Sequence, residues 1–237
     1  MNRASLTLTA GPASRPFVYR PGGSDEPVIQ SIFQAGAYEL RDRERGNGLR
    51  AYGATQRALG KTPLIVDAGA NIGASAVFFA LTHPGAAVVA IEPEPENFSL
   101  LQENVAGLPV ACLRAALASV EGHVALSDPG IGAWGHRTGA PARGAGPVPT
   151  VTMNALYAAY AATHVPYIAK IDIEGAEADL FSRNLDWVAQ TPMIIIELHD
   201  WLLPRQGSSR HFLRCIAEQD RDLMVLGENL VSIRNDL

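Results

Sequence analysis

The chain has 237 residues, of which 47% are hydrophobic and 18% charged, and a formal net charge of −5. That length suits one α/β domain with additions. The acidic balance without a basic tail argues against nucleic acid as a partner, and no apolar run is long enough to cross a bilayer.

Residues 1–24 are turn-rich, and the alternating stretches Ser5–Thr9 and Phe17–Arg20 read as a hairpin or an irregular arm. The N-terminal run sets Leu6 and Leu8 among threonines and lacks a signal-peptide core. Ser24-Asp25-Glu26-Pro27 supplies a capping side chain, early acids and a first-turn proline. These predict a helix carrying Val28, Ile29, Ile32 and Phe33 and ending near Gly36. Arg41–Arg50 mixes charges of both signs and reads as a solvated helix face, or else as a holder of an anionic substrate. Residues 1–60 are thus an N-terminal arm and helical extension, and 61–237 the main domain.

From Pro63 onward strands and helices alternate. Strands are predicted up to Asp67 and at Val88–Ile91, Val110–Leu113, His123–Leu126, Tyr167–Ile171 and Met193–Leu198. Helices are predicted from Ala74 and at Glu94–Val105, Val151–Thr163, Ala176–Leu185 and Ser208–Gln219. Asp128–Pro149 is dense in glycine and proline and reads as a long loop. Leu223–Leu226 and Leu230–Ile233 flank Gly227-Glu228-Asn229 and form a closing antiparallel hairpin. The alternation predicts an α/β architecture, a doubly wound, mostly parallel sheet with helices on both faces. Cys112 and Cys215 fall in apolar segments and read as buried reduced thiols, consistent with a cytoplasmic protein.

The segment Leu64-Ile65-Val66-Asp67-Ala68-Gly69-Ala70-Asn71-Ile72-Gly73 reads as a buried strand, a glycine turn and a helix start. This is the unit that builds nucleotide-cofactor sites. Asp67 sets it apart. A pyrophosphate prefers backbone N–H groups there, whereas a carboxylate suits a cation. S-adenosylmethionine carries an ammonium and a sulfonium, so Asp67, Gly69, Asn71 and Gly73 point to a methyl donor. Glu92 ends the second strand roughly 20 residues beyond Gly73, where an acid can accept from both ribose hydroxyls of an adenosine. A solvated strand-end carboxylate is the alternative. Asn97 opens the helix that follows.

Lys170-Ile171-Asp172-Ile173-Glu174-Gly175-Ala176-Glu177 ends the fourth strand. In a doubly wound sheet that strand lies beside the first, and ligands bind outside their carboxyl ends. Asp67 and Asp172 are therefore expected to face one crevice. Lys170, Asp172 and Glu174 share a side, and the buried lysine needs an adjacent acid. Glu177 reads as a helix N-terminal charge; Glu174 is either the same or part of the substrate site. Glu197 and His199 share a side of the fifth strand, where a histidine can act as a general base near neutral pH. Asp172, Glu197 and His199 also offer an oxygen/nitrogen set for a divalent metal. Trp134 and His136 in the glycine-rich loop belong either to a lid over the substrate or to an anchored surface loop. Trp134 or Tyr38 could face the sulfonium by cation–π attraction.

Taken together, Val66–Gly73, Glu92-Pro93-Glu94-Pro95-Glu96-Asn97-Phe98, Leu101 to Asn104, Lys170–Glu177 and Ile195–His199 resemble the FkbM-type S-adenosylmethionine-dependent methyltransferases of the Rossmann-like fold. The resemblance runs from Pro63 to Asp200, and the lysine-centred motif is its most distinctive part. It implies a seven-stranded sheet whose last strand is antiparallel. It implies that the glycine turn holds the methionine end of the donor and Glu92 its ribose. It further implies methyl transfer to an oxygen, typically a hydroxyl on a natural product, sugar or lipid, with S-adenosyl-L-homocysteine as product. The expected catalytic residues are Asp172, His199 and Lys170, with Asp172 or His199 as base. Tyr38, Trp134, His136, Glu174 and His199 are expected to meet a small-molecule acceptor. A nicotinamide-dependent oxidoreductase would need a G-x-G-x-x-G turn, which is absent; a non-catalytic donor-binding domain is the other alternative. The oligomeric state stays open, a homodimer included.

Overall fold

Alternating residues at the N-terminus pair as a hairpin, β1 (Ala4–Ala10) with β2 (Ala13–Tyr19), which buries Leu8 and Phe17. The computed structural model describes residues 2–40, 43–127, 137–139 and 147–237. After the hairpin come α1 (Asp25–Phe33) and α2 (Arg43–Ala58). The alternating region then runs β3 (Thr62–Ala68), α3 (Ala74–Thr82), β4 (Ala87–Ile91), α4 (Pro95–Asn104) and β5 (Val110–Leu113). Four short strands follow, β6 (Ala116–Leu117), β7 (Gly122–Ser127), β8 (Arg137–Gly139) and β9 (Val148–Val151). The chain closes with α5 (Met153–Tyr160), β10 (His164–Ile171), α6 (Glu177–Leu180), α7 (Asp186–Gln190), β11 (Met193–Glu197), α8 (Arg210–Ala217), β12 (Arg221–Leu226) and β13 (Asn229–Arg234).

The main sheet has seven strands in the order β12-β13-β11-β10-β3-β4-β5. All run the same way except β13, which is antiparallel to both neighbours. The winding reverses between β3 and β10, and their carboxyl ends open a crevice there. Strand period sorts the core into two layers. Ile65, Val88, Ile168 and Ile195 pack with Leu8, Phe17, Ile29, Ile32 and Phe79 on one face. Leu64, Val66, Val89, Ala169, Ile194 and Ile196 pack with Met153, Leu156, Trp187 and Phe212 on the other. The N-terminal hairpin and α1 thus share the core of the sheet. Asn104 ties them to it. Its side chain donates to the carbonyls of Val18 and Ile72 and accepts from the N–H of Val18.

Several expected elements differ. Within the stretch read as one long loop, β8 and β9 are strands, and β9 pairs with β6 and β7. Val151 therefore belongs to a strand, and the helix begins only after Thr152, whose side chain caps Ala155. The helix expected over 176–185 is the single turn α6, which ends at Leu180; a turn through left-handed Asn184 then leads into α7. Cys112 lies half-buried on the edge strand β5, while Cys215 is buried. No helix among the described residues is long and apolar enough to cross a membrane.

Candidate active site

Asp67 and Lys170 are direct partners across β3 and β10, with side chains on the hairpin face of the sheet. Both are buried. Lys170 Nζ lies 3.3 Å from Asp67 Oδ1 and 3.5 Å from Asp172 Oδ2, and donates to the carbonyls of Gly69 at 2.7 Å and Ala68 at 3.3 Å. Burial works against its charge. Asp67, Tyr38 and Asp172 more than offset this and hold its pKa above the ordinary lysine value. Ser75 Oγ donates to Asp67 Oδ2 at 2.6 Å. Asp67 is 0% exposed and stands behind the crevice wall, joined to it through the lysine. The lysine is thus an internal clamp that fixes the glycine turn against the end of β10.

The turn itself leaves no room for side chains. A Cβ on Gly69, at φ +73°, would lie 1.7 Å from the carbonyl oxygen of Asp172. Gly73, at φ +93°, caps α3, and a Cβ there would meet Leu101 of α4 at 2.9 Å. Gly73 is therefore a packing glycine and does not line the crevice. Asn71, at φ +48°, directs its N–H to Glu92 Oε2 at 2.8 Å. Glu92 Oε1 accepts from the N–H of Glu94 at 2.9 Å. Each oxygen keeps a lone pair for a further donor. Burial pushes the Glu92 carboxyl up to about 7, against the opposing pull of these two N–H groups. Asn97 is buried beside it, its Oδ1 accepting from Arg20 at 2.7 Å.

These groups meet in a cavity of about 980 Å³, a size typical of cofactor sites. Gly69, Asn71, Glu92, Asn97, Lys170, Asp172, Glu174 and Glu197 line it, with Tyr38. Tyr38 stacks on Phe79, and its hydroxyl is raised by burial with Lys170 pulling the other way. One wall comes from the N-terminal extension, through Ser24, Val28, Ser31 and Leu40. The opposite rim comes from Met224, Val225 and Glu228 of the closing hairpin. Of these walls the sequence pointed only to Tyr38 in the N-terminal extension; the rest of that wall and the hairpin rim were not legible as part of a site. Trp134 and His136 lie outside the described residues.

His199 stands behind Asp172, Glu174 and Glu197 and is absent from the lining. Its Nδ1 meets Glu177 Oε1 at 2.9 Å, and a carboxylate there can only accept, so Nδ1 carries the hydrogen. Glu177 is fully buried and also accepts from the N–H groups of Ile173 and Gly175. Glu177 does open α6, as its segment indicates, but left-handed Glu174 and Gly175 fold the chain back and carry its carboxylate inward against His199. Nε2 faces Glu174 Oε2 at 3.4 Å, Glu197 Oε1 at 3.5 Å and Asp172 Oδ1 at 3.6 Å. Burial alone would lower the His199 pKa; the Glu177 hydrogen bond and the surrounding carboxylates raise it to about 9. Burial and the charge of Asp172 push Glu174 up to about 8 and Glu197 to about 7.

Residues 67–223 match the methyltransferase FkbM domain. The chain belongs to the FkbM methyltransferase family. The match begins at Asp67 and reaches Leu223, so the N-terminal wall of the cavity precedes it. Among curated relatives, the hexuronic acid methyltransferase AglP of Haloferax volcanii is 28% identical over 142 residues. That alignment covers 59% of this chain and 57% of AglP, so the chain spans a little over half of that relative. Two solved structures are similar at low identity. The T. Thermophilus 16S rRNA N2 G1207 methyltransferase RsmC, in complex with AdoMet and guanosine, is 13% identical with a TM-score of 0.46, over 98% of this chain and 51% of that one. An O-methyltransferase from Bacillus cereus in complex with SAH is 13% identical with a TM-score of 0.42, over 90% and 92%. Within the FkbM domain of this chain, the lysine-centred motif thus does two things. Its lysine braces the glycine turn, and its three acids with His199 form a buried polar cluster at the crevice.

Proposed function

We propose that the cavity binds S-adenosylmethionine and that the protein transfers its methyl group to a hydroxyl of a sugar-like small molecule. One observation carries this reading. Gly69, Asn71, Glu92 and Asp172 line a single cavity at the switch point of the sheet. The residues fit the donor. Glu92 is held by two backbone N–H groups and keeps lone pairs for two ribose hydroxyls. The carboxyl groups of Glu92, Asp172, Glu174, Glu197 and Glu228 outnumber Lys170 in the lining, and a cationic ligand would favour their ionised forms.

When bound, the donor supplies a methyl group already activated by its sulfonium. The chain's own residues do the rest. Lys170 keeps the turn and the end of β10 in register. The walls from α1 and the closing hairpin exclude water and hold the acceptor in line with the methyl–sulfur bond. The carboxylate edge of Asp172, Glu174 and Glu197 would take the proton released by the acceptor hydroxyl as it is methylated. The products are a methyl ether and S-adenosylhomocysteine. A sugar acceptor is favoured by the likeness to AglP, a hexuronic acid methyltransferase, and by the polar groups Ser24, Ser31 and Asn229 in the walls.

The test is label transfer from methyl-tritiated donor into a panel of hydroxylated sugars that includes a hexuronic acid. Label in an acceptor, with matching S-adenosylhomocysteine, is the expected result. Product-cofactor binding without transfer to any acceptor would leave a non-catalytic binding domain. Absence of binding would remove both readings.

A further inference from the structure

We propose that Asp172, Glu174 and His199 hold a divalent cation at the acceptor end of the cavity. One donor atom from each of the three lies within 4.8 Å of the others. His199 Nε2 is 3.6 Å from Asp172 Oδ1 and 3.4 Å from Glu174 Oε2. Donors placed about 2.1 Å from one ion span such separations.

An acidic cluster alone would not point to a ligand; the histidine does. Its side chain is 0% exposed, and Nε2 is aimed into the carboxylates without a hydrogen-bond partner among the described residues. Asp172 Oδ1 and Glu174 Oε2, the atoms that face it, also lack one. Buried polar atoms are nearly always hydrogen-bonded, and three that are not, yet converge on one point, are arranged as the ligands of one ion would be.

The surroundings agree. Glu177 receives the Nδ1 hydrogen, fixing the tautomer and turning Nε2 toward the cluster, as an outer carboxylate does for a metal-bound imidazole. Asp172 and Glu174 line the cavity, so an ion has a path in from solvent. One imidazole with two carboxylates favours a transition ion such as Mn²⁺ or Zn²⁺ over Ca²⁺. Glu197 Oε1 stands beside the set, 3.5 Å from His199 Nε2. An ion held there would keep a side toward the cavity, where it would make an acceptor hydroxyl easier to deprotonate. Binding of the ion stands on the ligands alone; its part in methyl transfer rests on the function proposed above.

The experiment is titration of Mn²⁺ into the full chain, with free ion read by electron paramagnetic resonance and S-adenosylhomocysteine binding by calorimetry on the same samples. The wild type is expected to take up one saturable Mn²⁺, displaced by Zn²⁺. Glu174→Gln and His199→Gln should weaken this at least about tenfold, and Glu177→Gln by about 10–100-fold, while S-adenosylhomocysteine still binds. Glu174 is partly exposed, so its variant carries the test if the His199 variant fails to fold. No saturable uptake by wild-type protein that binds S-adenosylhomocysteine would overturn the site. So would uptake that is unchanged in Glu174→Gln. Uptake of Mn²⁺ without any cofactor binding would instead sink the methyl-transfer reading and leave the cation site standing.

Discussion

On the function proposed above, Glu92 would couple donor binding to pH. In the free protein its carboxyl is pushed up from 4.5 to about 7 by burial. Ribose hydroxyls donate, so the donor selects the ionised form. Below pH 7 a proton must leave before binding, and affinity falls about tenfold per pH unit. S-adenosylhomocysteine is therefore expected to bind about tenfold more weakly at pH 6 than at pH 8. Glu92→Gln cannot ionise. It should lose about 3 kcal/mol of binding, from two hydrogen bonds to a charged acceptor, and show none of the Glu92-linked pH slope. The same shift predicts stability. A carboxyl whose folded pKa lies above its unfolded value stabilises most in acid, and the contribution is lost as pH rises through 7. Between pH 4 and pH 8 the wild type should lose roughly 3 kcal/mol from this group. In Glu92→Gln that loss disappears, but an N–H of Asn71 or Glu94 then faces an amide NH₂ at a cost of about 1–3 kcal/mol. Calorimetric titration across pH for both proteins is the assay. A wild-type affinity flat from pH 6 to 8, or a variant with the same slope, would refute the ribose role of Glu92.

Three further outcomes follow from the geometry. Lys170→Met leaves Asp67 buried without its cation and should cost about 3–5 kcal/mol in denaturant unfolding, part of which Asp67→Asn restores in the double variant; additive losses would contradict the pairing. Gly69→Ala places a methyl against the Asp172 carbonyl and should destabilise by more than about 4 kcal/mol or prevent soluble expression, whereas wild-type thermal stability would contradict the close approach of the turn to β10. Asn104→Ala removes three hydrogen bonds between the hairpin, the glycine turn and α4. It should cost about 2–4 kcal/mol and speed proteolysis within residues 1–24, and cleavage at the wild-type rate would argue against the tie.

Much of the architecture was legible because its signals are local. Apolar runs such as Leu64–Val66 and Ile194–Ile196 are buried on both faces, as parallel strands must be. Glycines at turns and the Ser24 and Glu94 segments marked helix starts. The short strands β8 and β9 were not legible, since three or four residues are too few to show a period and they include glycine or proline. Glu177 opens a helix as its segment indicates, but its burial against His199 depends on the turn at Glu174 and Gly175, which local pattern does not show.

By itself, the sequence determined the strand–turn–helix units, the carboxylates at their ends and the family, because each rests on residues within one short segment. Tertiary structure decided which of those carboxylates line the cavity. Asp67, first in the motif, is buried against Lys170, while Glu174 and Glu197 join Asp172 around a histidine from another strand end. It also decided that the N-terminal extension and the closing hairpin wall the cavity. Local pattern sets which way a side chain points from its own element; only the packing of distant elements sets what it points at.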